Sequence, residues 1–518
     1  MTFPSEKTFD PVFKKDKSLF APAVRSVLFI MIAKVIRYGF VFLSQLILMI
    51  LLNPSDFGLM RYVTMVLGIA NLINEAGLGV ALVQKKQLTK NETASSFSLT
   101  IAVCLGLYCI IFIFAPFIAG FFGNAQIVPL VRIGGLCAPI GGISIVQRGL
   151  MQRRFQYGRL SLIEAVSALG GSITGIILGV LGFGVWSLVW SVVLYSSISS
   201  LLSIGSGRIE GNFFDVKTSM ALWLFGLGAV IQRIIDYGTS NIDFMVVGRY
   251  FGETALGIYS MAFTIATLPQ LALGAVLVGV ALSAFSRFQD NDARLRGAFL
   301  RLTKVVALLS IPYFILIFIL APELMKAVAF IHHGDKWAPA APFIKILAPV
   351  GLLYCLNSFP GIVWIAKGKV RFRIVWAVFS LLTMGIAVII GSRFGVSGIC
   401  TALLIRAIIV FPVSQYANYS TFGLMPFDYL KAITPSLLCG AVAFVVLQGM
   451  GLIGTLQVEN HSYFKIACYS AVCLVVYGAM LRIFSKNTDM ELQGVLEELV
   501  SKKLGAIFTN GNPSGSGR

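Results

Sequence analysis

Charge is in short supply in this chain: Asp, Glu, Lys and Arg together make up 12% of 518 residues, and histidine occurs three times. Water-soluble globular domains carry roughly twice that charged fraction, so the shortage excludes an ordinary soluble protein. Negative charge is the scarcer sign, with 22 acidic against 41 basic residues and a formal charge of +19. The basic residues sit in short breaks between apolar runs, which reads as membrane topology and excludes a nucleic-acid partner. Catalytic signatures are missing as well. There is no phosphate-cradling Gly-rich loop ending in Gly-Lys-Ser/Thr, no zinc-protease His-Glu-x-x-His and no Gly-x-Ser-x-Gly elbow, so no catalytic residue is assigned. The eight cysteines lie in apolar spans without a Cys-x-x-Cys pair, and they read as small buried hydrophobes. His332 and His333 have no further His or Cys nearby in sequence, so no metal site is expected. The start of the chain has no cleavable signal pattern.

What is present is apolar sequence. Hydrophobic residues make up 57% of the chain and the mean hydropathy is +0.86, distributed over about fourteen runs long enough to span a bilayer. The fold class is therefore all-α integral membrane. One set of breaks carries Lys85, Lys86 and Lys90, then Arg153, Arg154 and Arg159, then Arg208 and Lys217, then Arg287, Arg294 and Arg296, then Lys367, Lys369, Arg371 and Arg373. The alternate set is nearly bare, as at Asn53 to Asp56 and Gly182 to Gly184. The positive-inside rule places the basic set, and both termini, in the cytoplasm. The expected divisions are a cytoplasmic segment 1–23, spans one to six in 24–204, a linker 205–219, spans seven to twelve in 220–417, two more spans in 418–484 and a cytoplasmic tail 485–518.

Several charges lie inside the runs. Lys34 and Arg37 fall near the middle of the first, Arg61 near the start of the second and Glu75 in its far half. At about 100° per residue, Lys34, Arg37, Ser44 and Gln45 share one side of the first helix. Arg61, Asn71, Asn74 and Glu75 share a broad side of the second. A Lys or Arg at mid-membrane costs about 2.5 to 3.5 kcal/mol even on insertion scales, so each needs water, a counter-charge or an anionic ligand. Snorkelling or a salt bridge to Glu75 is the alternative, weightiest for Arg61. The seventh run carries Arg233, Asp236 and Asp243, with an Arg233–Asp236 pair as the local alternative, and the twelfth carries Arg406. Lys34, Arg37, Arg61, Arg233 and Arg406 are thus candidates for binding an anion, since guanidinium and ammonium groups are natural phosphate ligands. Glu75, Asp236 and Asp243 are candidates for exchanging a coupling ion.

The chain also repeats itself. Asp56-Phe57-Gly58-Leu59-Met60 after the first run is echoed by Ala255-Leu256-Gly257-Ile258-Tyr259 after the seventh, a shift of 199 residues. Pro129, Arg132 and Ala138-Pro139 are echoed by Pro342, Lys345 and Ala348-Pro349, and Phe183-Gly184-Val185 by Phe394-Gly395-Val396. Six spans per repeat is an even number, so the two copies enter the membrane in the same sense, as in transporters that rock one half against the other around a central site.

Together, Ser55 to Met60, Gly77 to Gln84, Asn241-Ile242-Asp243, Val247 to Tyr250, Ala255 to Ser260 and Gly334 to Pro342 carry a family likeness over most of Ser26 to Tyr416. The chain resembles Wzx-type flippases, the exopolysaccharide and colanic-acid-like branch of the multidrug/oligosaccharidyl-lipid/polysaccharide exporter superfamily. The resemblance implies two pseudo-symmetric six-helix lobes in a V around a central cavity, plus two C-terminal helices. It implies that undecaprenyl-pyrophosphate-linked oligosaccharide is flipped across a bacterial inner membrane for exopolysaccharide, capsule or O-antigen synthesis, driven by an H⁺ or Na⁺ gradient and without a cofactor. The partners implied are the lipid-linked oligosaccharide, membrane lipids and a polysaccharide polymerase or export machinery. Ala284 departs from the pattern, because such proteins commonly have a proline there, and this leaves the end of the eighth helix open. Two alternatives stand beside this reading: a MATE-like exporter of small drugs, and a membrane polysaccharide polymerase or ligase.

Overall fold

The computed structural model describes residues 37, 39–74, 89–154, 156–205, 211, 216–330, 335–452 and 462–484. Lys34, Glu75, His332 and His333 lie outside them. Among the described residues the regular structure is helical and contains no strand. The helices are α1 (Gly39–Leu51), α2 (Pro54–Asn74), α3 (Lys90–Phe122), α4 (Ile127–Gly135), α5 (Cys137–Arg153), α6 (Tyr157–Val180), α7 (Val185–Ile204) and α8 (Val216–Arg287). They continue with α9 (Asp292–Phe330), α10 (Ala340–Leu356), α11 (Pro360–Ala366), α12 (Val370–Ser392), α13 (Gly395–Phe422), α14 (Pro426–Leu452) and α15 (Ser462–Phe484). Among the described residues, eleven helical stretches are long and apolar enough to cross a membrane. This is a multi-pass membrane protein.

Local chemistry sets the helix ends. Pro54 occupies the first position of α2, where a missing N–H costs nothing, and the Asp56 carboxylate accepts from the Asn53 N–H at 2.9 Å. Thr89 and Glu92 form a reciprocal capping box at the start of α3, satisfying two otherwise orphaned donors. Gly123, with φ at 75°, ends that helix in the left-handed region. Its 33 residues span about 50 Å, more than a hydrocarbon core of about 30 Å, so it is long enough to cross a bilayer even when tilted. The helix through Ala284 runs unbroken to Arg287, which settles the end left open there. The fourth apolar run is divided at Leu136, between α4 and α5, and the tenth at Asn357 to Phe359. The Leu356 carbonyl freed at that second break accepts from the Tyr429 hydroxyl at 2.7 Å.

Arg and Lys in the basic breaks also finish helices. The Arg159 guanidinium donates to the Gly205 carbonyl at the end of α7, at 2.8 Å. At the end of α13, Arg296 donates to the Phe422 carbonyl at 3.1 Å, and Lys367 and Lys369 donate to that of Thr421 at 3.3 and 3.2 Å. The last carbonyls of a helix have no intrahelical donor and carry partial negative charge, so cations fit there twice over.

α8 is two helices folded back on each other. Gly252 breaks it with φ 80° and ψ 180°. The Tyr259 hydroxyl donates to Asp243 at 2.6 Å, although the two are 16 residues apart in sequence. Along one straight helix that separation would be about 24 Å, so the chain must reverse at Gly252.

α2 runs antiparallel to the first part of α8 and meets its second part as well. The Tyr62 hydroxyl donates to the Gly248 carbonyl at 2.9 Å, and the Tyr237 hydroxyl to that of Met65 at 2.8 Å. At the charge-poor end the repeated glycines cross. A Cβ on Gly58 would lie 2.6 Å from the Glu253 carbonyl carbon and overlap its oxygen, while one on Gly257 would lie 2.7 Å from the Pro54 carbonyl carbon and overlap that oxygen. Each repeat glycine therefore presses on the backbone four residues before the other. Trp337, fully buried, donates to the Met49 carbonyl in the last turn of α1 at 2.8 Å and stacks edge-on against Phe57 at 5.3 Å. Lys336 reaches the neighbouring Ile50 carbonyl at 3.5 Å. Burial pulls the pKa of this ammonium down, and nearby Asp56 opposes that. Backbone contacts and a buried indole thus close the charge-poor end of the molecule.

Candidate functional site

Below this seam, toward the basic breaks, lies a cavity of about 780 Å³. Its wall is built from both parts of α8 together with α10, α12 and α13, and from one residue of α2, Arg61. Arg61 and Arg406 are the charged residues among those lining it, and no carboxylate is among them. Polar groups from several helices converge there, including Ser240, Thr264, Thr267, Gln270, Tyr354, Asn357 and Ser380.

Arg406 lies in the middle of α13, 8% exposed, where an unpaired guanidinium would be costly. Hydroxyl groups hold it. It donates to the Ser380 hydroxyl at 2.7 Å, the Ser380 carbonyl at 3.1 Å, the Thr383 hydroxyl at 3.2 Å and the Tyr354 hydroxyl at 3.4 Å. These partners are neutral, so its positive charge is oriented without being cancelled by them.

Arg61 extends from α2 to α8, donating to the Asn241 side-chain oxygen at 3.1 Å with its guanidinium 3.6 Å from the centre of the Phe244 ring. Its Nε is buried and finds no hydrogen-bond partner among the described residues. Asp243 is fully buried behind it and interacts with it electrostatically. One Asp243 oxygen accepts from Tyr259, and the other has no partner among the described residues. Arg61 and Asp243, singled out as charges inside apolar runs, therefore form one buried group across the α2–α8 seam.

Arg61 and Thr264 also line a second cavity, of about 400 Å³, on the amino-terminal side. Arg37, Ser44, Gln45, Ser172 and Tyr195 are among the other polar residues of its wall. The Ser44 hydroxyl donates to that of Ser172 at 3.2 Å. Arg37 pairs with Glu164 of α6 at 2.7 Å, and the other oxygen of the same carboxylate takes Arg148 of α5 at 2.6 Å. Arg61 thus stands where the two polar spaces meet, and Arg37 and Arg406 face one space each.

Asp236 pairs with Arg373 of α12 at 2.9 Å rather than with Arg233 on its own helix. Arg233, Asp236 and Asp243 are not among the residues lining either cavity. The residues not anticipated from sequence are Arg148, Glu164 and Arg373, along with the polar shell Tyr354, Ser380 and Thr383 around Arg406. Glu164 carried the same signal as the others, a carboxylate within an apolar run. Arg148 sits near a run's end and Arg373 in a basic break, so only packing reveals their partners.

Comparison with known proteins bears on this arrangement. The chain matches the family described as polysaccharide biosynthesis protein over residues 47–342. The teichuronic acid biosynthesis protein TuaB of Bacillus subtilis (strain 168) is 26% identical over 74% of this chain and 79% of its own length. The lipopolysaccharide biosynthesis protein WzxC of Escherichia coli (strain K12) is 24% identical over 81% and 87%. The succinoglycan biosynthesis transport protein ExoT of Rhizobium meliloti (strain 1021) is 26% identical over 72% and 74%. Among solved structures, the lipid II flippase MurJ in an inward closed conformation superposes with a TM-score of 0.68 at 15% identity, covering 91% of this chain and all of that one. An inward-facing MATE multidrug transporter superposes with a TM-score of 0.57 at 16% identity, over 75% and 98%. These two likenesses are of fold. With more than half of its length matched and its relatives aligned through most of theirs, the chain belongs to the polysaccharide biosynthesis protein family of multi-pass membrane proteins.

Proposed function

We propose that the protein flips a diphosphate-linked oligosaccharide lipid from the cytoplasmic to the outer leaflet of a bacterial cytoplasmic membrane, supplying repeat units for an extracellular polysaccharide. One observation carries the reading: a membrane-embedded cavity of about 780 Å³ lined by two arginines and by no carboxylate. That volume lies in the usual range for ligand sites, and its sign suits a phosphorylated head group. The names of the relatives, teichuronic acid, lipopolysaccharide and succinoglycan biosynthesis, point to the same class of substrate.

In this reading the two halves, spans one to six and seven to twelve, are rocking lobes, with α14 and α15 appended. The basic breaks and both termini are cytoplasmic. The crossed glycines and Trp337 then form the outer seal, and the conformation described is open toward the cytoplasm. The diphosphate enters from that side and meets Arg61 and Arg406, with Arg37 on the amino-terminal wall, while the polyprenyl chain stays in lipid. Asp243 carries the exchange of a proton or Na⁺ that resets the lobes, because its charge acts on Arg61. Asp236 and Arg233 lie farther from the substrate path and support α8. Export of small cationic drugs fits this lining poorly, since it would place their charge against two arginines.

The test is the sidedness of lipid-linked repeat units in a strain lacking the gene. Units should accumulate on the cytoplasmic leaflet, and the wild-type chain should relieve this where an Arg61→Gln, Arg406→Gln variant does not. Repeat units reaching the outer leaflet normally without the gene would refute the assignment.

A further inference from the structure

Among the described residues, Glu164 lies between two arginines from other helices, with Arg37 Nη1 at 2.7 Å on one oxygen and Arg148 Nη2 at 2.6 Å on the other. All three side chains are partly buried, between 19% and 28% exposed, and Arg37 lines the amino-terminal cavity. The other half offers a comparison. The shift of 199 residues that carries Gly58 onto Gly257 also carries position 37 onto position 236. Asp236 is bound there to Arg373 of α12, the helix that, like α6, follows a basic break. Each half thus ties the helix before its seam to the helix after its second basic break with one carboxylate–arginine pair, and the two pairs have opposite polarity. In the carboxy-terminal half one arginine makes this tie. The amino-terminal half adds Arg148, so bracing alone does not account for two guanidiniums converging on one carboxylate.

We infer that Glu164 is a built-in stand-in for phosphate. It holds Arg37 and Arg148 in the arrangement that grips the diphosphate of the lipid substrate, and it gives them up when that diphosphate arrives. The inference rests on the flippase reading above and deepens it.

Three physical points support the exchange. Two guanidiniums brought together in a partly dehydrated wall repel unless an anion lies between them. A carboxylate bridging them with one oxygen each occupies the positions that two phosphoryl oxygens would take, and phosphate, with more charge and more acceptors, makes the stronger pair with arginine. A counter-anion that returns when the substrate leaves also speeds release, because it competes for the same donors. Tight capture with slow release would defeat a transporter.

The test uses the full-length purified chain in detergent, with farnesyl diphosphate and inorganic pyrophosphate as probes in titration calorimetry. Glu164→Gln should bind both diphosphates at least about tenfold more tightly than wild type, and Arg148→Gln about tenfold more weakly. In cells Glu164→Gln should slow polymer export despite its higher affinity, through slower release. Glu164→Asp, one methylene too short to reach both guanidiniums, should shift affinity in the same direction by less, and it serves if the glutamine variant does not fold. Affinity unchanged or weakened in Glu164→Gln and Glu164→Asp, with wild type still binding, would assign Glu164 to bracing and overturn this inference while leaving the flippase reading intact. A gain confined to inorganic pyrophosphate would also overturn it, because the site would then not serve a lipid. If wild type and every variant bind neither diphosphate, the flippase reading fails and this inference fails with it.

Discussion

Replacing Gly257 by alanine tests the seam that closes the charge-poor end. The added Cβ would sit 2.7 Å from the Pro54 carbonyl carbon and 3.0 Å from the Gly58 nitrogen, against an ordinary contact of about 3.5 Å or more. These neighbours are backbone and the Pro54 carbonyl oxygen is overlapped outright, so no side-chain rotation relieves the clash and the helices must part by roughly 1.5 Å. Overpacking of this kind costs about 1 to 3 kcal/mol. If the strain exists only while the seam is shut, the balance between closed and open forms moves by roughly 5- to 150-fold. Gly58→Ala makes the mirror-image overlap with Glu253 and should act in the same direction. Gly106→Ala is the control, because a Cβ there meets nothing within 4 Å. The assay is the labelling rate of a cysteine placed at buried Met60, in a background without native cysteines, using a membrane-impermeant maleimide applied from outside the cell. Faster labelling in both seam variants and an unchanged rate in the control are expected. An unchanged rate in both seam variants would show that the crossed glycines do not hold the outer gate.

Other expectations follow from single contacts. Arg61→Lys should lose most transport, about tenfold or more in export rate, because an ammonium cannot both reach Asn241 and lie flat over Phe244. Arg406→Met should weaken binding of a diphosphate probe by about tenfold without unfolding the protein, since the hydroxyls left behind are neutral. Trp337→Ala removes a fully buried indole and leaves the Met49 carbonyl without its donor, at a cost of about 3 to 5 kcal/mol, visible as a lower midpoint in detergent thermal unfolding. Asp243→Asn should keep diphosphate binding but abolish the dependence of transport on an imposed ion gradient, measured in sealed vesicles.

The all-helical, multi-pass character was legible because the hydrophobic runs are long and sharply bounded by charge or glycine, although eleven candidate spans stand among the described residues against about fourteen expected. Arg61, Arg406 and Asp243 were legible for a related reason, since a charge inside such a run stands out whatever the surrounding fold. Their partners were not. Asp243 meets Tyr259 only because the chain reverses at Gly252, and Asp236 meets Arg373 only because α12 packs beside α8. Spacing along one helix suggested a cavity-facing stripe, with an Arg233–Asp236 pair as the alternative, whereas Asp236 lines neither cavity and pairs with Arg373. The break at Leu136 lies inside continuous apolar sequence, where hydropathy carries no mark of it, whereas the one at Asn357 to Phe359 coincides with Asn357, Ser358 and Pro360. The glycine echo between residues 56–60 and 255–259 was visible as repetition. Its meaning, two backbones touching across the seam, needed the third dimension.

The most direct test is a reconstituted flipping assay, with purified chain in proteoliposomes carrying a fluorescent oligosaccharide on an isoprenyl diphosphate, scored by how much becomes accessible to an added lectin on the opposite leaflet. The account predicts transfer by wild type that falls at least about tenfold in an Arg61→Gln, Arg406→Gln variant, in line with the cost of losing charge-assisted phosphate contacts. Equal transfer by the two proteins would contradict it.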